Sequence, residues 1–305
     1  MYFTCLPDHT EPGFNESQHF SKFKKHNIIF NAESSESFCD DHVGCLSIKT
    51  ILNGEECYGI DGRQLMVRPG LFLVLNNDQR YSCRISSKEK VRSLSIFFRT
   101  EFAASVLFDI SHTEDSLLEY PFPESKALPE FFQTLQYITP DMGFQLSALL
   151  RLLETKGYHK TMTDECLVFL LRNLIELHRS DKKRVSNIMA IKATTRQEIY
   201  RRLCIAKDVL HSSCQEDLDL NKVSAEACMS VPQLVRQFKS AFQTTPHQYL
   251  TRIRLEQAAG LLQRSNEPVH DIAWKCGFES ASAFSRIFKA AYGIQPTSFR
   301  KGHKN

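Results

Sequence analysis

Two cationic pairs stand out as groups that could do chemistry. Arg236 and Lys239 are three residues apart, and Arg286 and Lys289 repeat that spacing fifty positions later. An arginine guanidinium can donate two parallel hydrogen bonds to O6 and N7 of a guanine, whereas a lysine ammonium meets a phosphate oxygen as a point charge. Three residues apart on a helix, both side chains share a face. Each pair can therefore set one group on a base edge and the other on the neighbouring backbone. The residues around them suit the same surface. Ser282 and Ser285 can bond to several bases or to phosphate, while Pro232 and Val235 offer apolar contact, for example to a thymine methyl. On this reading the second pair is the more polar reader.

The pairs belong to an internal repeat. S-V-P-Q-L-V-R-Q-F-K-S-A-F-Q-T-T-P-H-Q-Y, from Ser230 to Tyr249, returns as S-A-S-A-F-S-R-I-F-K-A-A-Y-G-I-Q-P-T-S-F, from Ser280 to Phe299. Upstream, Val223 to Cys228 answers to Ile272 to Gly277 at an offset of forty-nine, so one residue, near Glu279, is inserted in the second turn. Each copy reads as helix, tight turn, helix, at about 220–243 and 269–293. Ser230 and Ser280 are placed to cap the second helices, with Gln233 completing a capping box in the first copy and Pro232 tolerated in the first turn. Leu234 with Phe238, and Phe284 with Phe288, lie one turn apart and should be core. Arg236, Lys239, Arg286 and Lys289 then face outward. Gly277 supplies the positive φ that a sharp turn needs. Between the copies Pro246 to Leu262 forms an apolar-striped helix of roughly 25 Å. Such a rod can hold two reading helices on one side of a duplex, whose successive major-groove faces lie about 34 Å apart.

With R-L-E-Q-A-A-G-L-L and V-H-D-I-A-W-K-C-G-F-E-S-A-S-A-F-S-R-I-F-K-A-A-Y-G-I-Q-P-T-S-F-R in view, the chain resembles the double helix-turn-helix DNA-binding domain of the AraC/XylS family of bacterial transcription regulators. The resemblance runs from near Glu198 to Arg300, and I-A-x-x-x-G-F, F-S-R-x-F-K, G-x-x-P and F-R occur in order. It implies sequence-specific binding of double-stranded DNA, with Arg236 and Arg286 as the recognition-helix arginines and RNA polymerase as a partner. The first copy departs in three places: Ser224 where a helix alanine is usual, Cys228 where the turn glycine is usual, and Gln243 where the second copy has Gly293. These departures predict a more strained first unit. The DNA-binding surface expected from residues and resemblance together is Ser230, Pro232, Gln233, Val235, Arg236, Lys239, Ser280, Ser282, Ser285, Arg286 and Lys289. Helix N-termini add phosphate contacts.

Charge is distributed accordingly. The whole chain carries +3, but from Tyr200 onward fifteen Lys and Arg stand against nine Asp and Glu, leaving residues 1–199 at −3. A basic module joined to a mildly acidic one suits DNA binding. The rival reading is an architectural protein that packs or bends DNA without sequence preference, which a specificity ratio would separate. The ten cysteines form no CxxC pair, and with no signal peptide and no bilayer-length apolar run the expectation is a reduced, cytoplasmic protein. Cys228 and Cys276, in the two turns, are the candidates for redox sensing, though nothing beside them lowers a thiol pKa. His26 and His42 are the only histidines of the strand region. No histidine pair, G-x-S-x-G elbow, phosphate loop or H-E-x-x-H occurs, so neither enzyme activity, cofactor nor metal is expected.

The fold class is α+β. Residues 1–180 read as a sensory and dimerisation domain, with strands over about 26–98 forming an antiparallel barrel or sandwich. Asn53-Gly54 is the hairpin signal, and R-P-G-L-F-L-V-L-N resembles the strand-turn-strand core of the cupin-like barrel that commonly precedes such DNA-binding domains. That resemblance implies a small-molecule effector or partner protein. Helices follow over about 128–180, beginning with L-P-E-F-F-Q-T-L-Q-Y-I. The stripe Leu167, Phe169, Leu170, Leu174, Ile175, Leu177 is broader than one helix face, leaving open packing on the barrel or a homodimer seam. Residues 181–197 read as linker, where Lys182, Lys183 and Arg184 either touch phosphate or form a solvated charge run. Residues 198–305 make the DNA-binding domain.

Overall fold

The computed structural model describes residues 1–7, 16–111 and 128–302. The chain divides into two compact units, Met1–Lys183 and Arg184–Asn305. The first is α+β and the second, among the described residues, is helical throughout.

Among the described residues the strands of the N-terminal unit form one eight-stranded sheet. Two long strands, β2 (Ile28–Val43) and β7 (Arg80–Phe97), run antiparallel along their whole lengths, with register shifts at Ser34/Glu36 and Cys39/His42. The short β1 (Tyr2–Phe3) adds parallel to β2. Y-S-C-R-I and L-S-I-F-F, which read as two strands, are the two ends of β7. Its later half pairs with β3 (Ser47–Asn53) and its earlier half with β4 (Glu56–Ile60). Asn53-Gly54 is therefore a corner, since β3 and β4 do not pair with each other. The two-residue hairpin lies instead at Asp61-Gly62, joining β4 to β5 (Arg63–Val67), with φ of 49° and 76° as a primed turn requires.

The strand β6 (Leu71–Leu75) explains its own unbroken apolar run. Leu71, Leu73 and Leu75 point to the interior with Tyr58, Leu65 and Ile85, while Phe72 and Val74 point to the helices with Ile48 and Ile96. A strand buried on both faces loses the alternation of a half-exposed one. The helices of this unit are α1 (Glu16–Lys25), α2 (Thr100–Ser111), α3 (Pro140–Lys156) and α4 (Lys160–Ser186) in chain order; α2, α3 and α4 pack on that outer face, whereas Phe23 of α1 packs with Ile28, Phe30 and Phe97 in a separate cluster and lines the interior. Most of the broad α4 stripe is absorbed there: Leu167, Leu170, Leu174 and Ile175 are buried, whereas Phe169 remains exposed. The expected helix at L-P-E-F-F-Q-T-L-Q-Y-I does not form. Gln136–Tyr137 pairs with β6 as β8, and Leu135 and Phe131 reach different cores, a division that an extended chain makes and a helix face does not.

In the second unit α5 (Ala193–Ser212), α6 (Leu220–Glu226) and α7 (Val231–Phe242) precede α8 (Pro246–Arg264), which is followed by α9 (Val269–Lys275), α10 (Ala281–Tyr292) and α11 (Pro296–Gly302). The helix α8 packs against α5 and α7 on one side of the repeat and α9 and α11 on the other. Of the stretch read as linker, residues 181–186 complete α4 and 193–197 open α5, and Asp181 and Ile188 are buried. A polar composition masked helix there because the apolar positions are few.

Candidate nucleic-acid interface

The repeat is a repeat in space. Ser224, Ala225 and Met229 close the first turn with bonds from Cys228 N to Ala225 O (3.0 Å) and Met229 N to Ser224 O (2.9 Å). Forty-nine residues on, Gly277 N bonds Trp274 O (2.9 Å) and Phe278 N bonds Ala273 O (3.0 Å). The helices α7 and α10 start fifty apart, at Val231 and Ala281, so the extra residue is Glu279. Behind each recognition helix sits the same aromatic triplet. Ring centroids of Phe238 and Phe242 are 4.6 Å apart and those of Phe238 and Tyr249 are 5.5 Å apart; Phe288 to Tyr292 and Phe288 to Phe299 measure 4.5 and 5.3 Å.

The first copy pays a strain that the second avoids. Cys228 and Gln243 hold φ of 51° and 57°, left-handed values that Gly277 and Gly293 adopt at 76° and 78°. A side chain in that region costs roughly 1–2 kcal/mol. Gly277 is also required by space: a Cβ there would lie 2.9 Å from the Arg254 guanidinium and 2.9 Å from the Gln215 carbonyl oxygen.

Outward faces match the sequence expectation. Leu234, Phe238, Phe284 and Phe288 are buried, while Pro232, Arg236, Lys239, Ser282, Arg286 and Lys289 are exposed and Gln233, Val235 and Ser285 are half-buried. None of the four cations makes a hydrogen bond or ion pair among the described residues. Ser280 accepts from Ala283 N at 3.2 Å and caps α10. The capping box expected of Ser230 and Gln233 does not form. Pro232 has no amide to offer at the second helical position, and the Ser230 hydroxyl does not take the third. The complete box is at Thr245 and Gln248, opening α8 (3.0 and 3.2 Å).

Residues 223–302 match the family model described as a helix-turn-helix domain. The C-terminal unit is an AraC-type helix-turn-helix domain. Across 87 residues, 28% of this chain, it is 36% identical to the HTH-type transcriptional regulator MtrA of Neisseria gonorrhoeae and 37% identical to the HTH-type transcriptional activator RhaS of Klebsiella pneumoniae. The match spans 29% and 31% of those relatives' own lengths. Among solved structures, a transcriptional regulator with an AraC-type DNA-binding domain from Chromobacterium violaceum is 28% identical over 34% of this chain and 93% of its own, with a TM-score of 0.33.

Two arginines of this AraC-type domain escaped sequence reasoning. Arg254, on α8, donates to the carbonyls of Cys214 (2.7 Å) and Glu216 (2.6 Å), tying the loop between α5 and α6 beneath the second turn. Arg202, on α5, donates to the Cys228 carbonyl (3.0 Å) and to Glu198 (2.9 Å), whose carboxyl it holds below the usual carboxylate range. Their spacing, fifty-two, differs from both repeat offsets, so the correspondence is visible only in space. Gln237, next to Arg236, is buried, which a helical period with Leu234 and Phe238 could have shown. Cys276 is buried and desolvation pushes its thiol up to about 12, an inert state for a redox sensor. Among the described residues no cluster of three metal-ligating side chains occurs, and no helix is long and apolar enough to cross a membrane.

Proposed function

We propose that the chain is a sequence-specific transcription regulator that docks α7 and α10 in successive major-groove segments of double-stranded DNA. The observation that carries this reading is the duplicated unit with its unengaged cations, Arg236 and Lys239 on one outward face and Arg286 and Lys289 on the other. The nineteen residues of α8 span about 28 Å, near the 34 Å between groove faces. In the proposal Arg236 and Arg286 reach base edges and Lys239 and Lys289 reach phosphates. Ser230, Gln233, Ser282 and Ser285 add polar contacts at the helix starts, and Pro232 and Val235 add apolar ones.

The N-terminal unit is proposed to receive an effector and to support a homodimer through α3 and α4, where Phe144 and Phe169 are 71% and 39% exposed. RNA polymerase is the proposed partner at the promoter and the cytoplasm the proposed location, as for the regulators that the domain resembles. The test is selection of bound sequences from a random duplex library with the full chain. Specific binding should exceed nonspecific binding by about a thousandfold or more and weaken steeply with salt. A folded protein with no preference among sequences would instead be an architectural one.

A further inference from the structure

Side chains from β2, β3, β4 and β7 converge on a cavity of about 60 Å³ inside the N-terminal unit. Strand alternation puts them there. On β3, Lys49 shares the interior face with Ile51, while Ile48 joins the core under the helices; on β4, Glu56 shares a face with Tyr58. Lys49 and Glu56 are 3% and 5% exposed. They nevertheless form no ion pair or hydrogen bond with each other among the described residues; the Lys49 Nζ lies 3.5 Å from the Phe97 ring centroid and 5.3 Å from that of Tyr81, and feels the Glu56 carboxyl only at longer range. The Glu56 carboxyl reaches Tyr58 and Cys83, and its Oε2 has no hydrogen-bond partner.

A buried ammonium and a buried carboxylate that line one cavity without meeting are each poorly compensated for lost hydration. Desolvation accordingly pushes Lys49 down to about 8 and Glu56 up. A molecule carrying only an anion would satisfy Lys49 and be repelled by Glu56, and one carrying only a cation would do the reverse. A molecule with both satisfies both, while the Tyr81 and Phe97 rings hold the Lys49 ammonium by cation–π attraction. At about 10–15 Å³ for each water-sized group the space suits roughly four to six such groups. We propose that this cavity binds a small zwitterion of amino-acid type, its carboxylate received by Lys49 and its ammonium by Glu56. The site names the chemistry of the effector in the proposed function, and rests on that reading only for its regulatory consequence.

The test uses the full chain without DNA. Titration calorimetry and melting temperature are measured with glycine, L-alanine and β-alanine, and with acetate, propionate and ethylamine as single-charge analogues. At least one amino acid should bind tenfold or more tighter than the analogue lacking either charge, and raise the melting temperature with concentration. Lys49→Met and Glu56→Gln, checked for fold by circular dichroism, should each weaken it at least tenfold. Binding by no amino acid, equal binding of a single-charge analogue, or unchanged affinity in folded variants would overturn the proposal; if one variant does not fold, the ligand series on the natural chain decides alone. Sequence-specific DNA binding is measured separately without ligand. Loss of the cavity proposal with DNA selectivity intact is thereby distinct from failure of the regulator reading.

Discussion

Exchanging the two turn residues should produce opposite effects at equivalent positions. Cys228 is held at φ 51°, where a side chain costs roughly 1–2 kcal/mol. Glycine removes that cost but loses about 0.5–1 kcal/mol more conformational entropy on folding. Cys228→Gly should therefore stabilise the C-terminal unit by about 0.5–1 kcal/mol. Gly277→Ala begins with the reverse of that difference and adds a collision. The new Cβ would stand 2.9 Å from Arg254 and 2.9 Å from the Gln215 carbonyl, and the first must yield because the second is backbone. Moving the guanidinium endangers its bonds to the Cys214 and Glu216 carbonyls at 2.7 and 2.6 Å. Charged hydrogen bonds are worth about 1.5–3 kcal/mol each, so a total loss of about 2–4 kcal/mol is expected. The assay is urea unfolding of the full chain followed by fluorescence. The single tryptophan, Trp274, lies in α9 and reports this unit. Equal destabilisation by both substitutions, or a Gly277→Ala protein within 0.5 kcal/mol of the natural one by the same principle, would refute the assignment of strain to the first turn and space to the second.

Other outcomes follow from the same structure. Arg286→Ala should cost about 1–3 kcal/mol and relax preference at one base pair, and Arg236→Ala should do so more weakly, whereas Lys289→Ala should weaken all sequences alike and reduce the salt slope by about one. Binding to single-base variants of one confirmed site reads this, and a uniform loss for Arg286→Ala would reassign that arginine to phosphate. Between pH 8 and 10.5 the unfolded chain holds a proton on Lys49 that the folded chain does not, so the cost of burying this ammonium should be relieved as pH rises, a gain in stability of about 3 kcal/mol across the window relative to pH below 8. Denaturation midpoints of the natural protein and Lys49→Met, compared across that window, isolate the effect from buried Tyr58 and Tyr81, and parallel profiles would contradict it. Phe144→Asp with Phe169→Asp should render the full chain monomeric at micromolar concentration in analytical ultracentrifugation. A natural chain that is already monomeric there would exclude the α3–α4 seam.

Sequence by itself determined the C-terminal domain almost to the residue, because its information is local. The capping serine of α10, the core pairs Leu234/Phe238 and Phe284/Phe288, the inserted Glu279 and the strained Cys228 all follow from helical spacing and from comparing one copy with the other. Helix faces are set by residues three and four apart, which lie close in the chain. The N-terminal unit was legible only in outline. Its long strands β2 and β7 were read in pieces, a buried edge was read as helix, and the hairpin was placed at Asn53-Gly54 instead of Asp61-Gly62, because strand pairing joins residues far apart in sequence. The inward list of a sheet also inverts with one residue of register, so neither Lys49 nor Glu56 stood out among the many charged residues of the chain. Tertiary structure alone brought four strands and Phe23 of α1 to one cavity and removed that lysine and that glutamate from water without letting them form an ion pair.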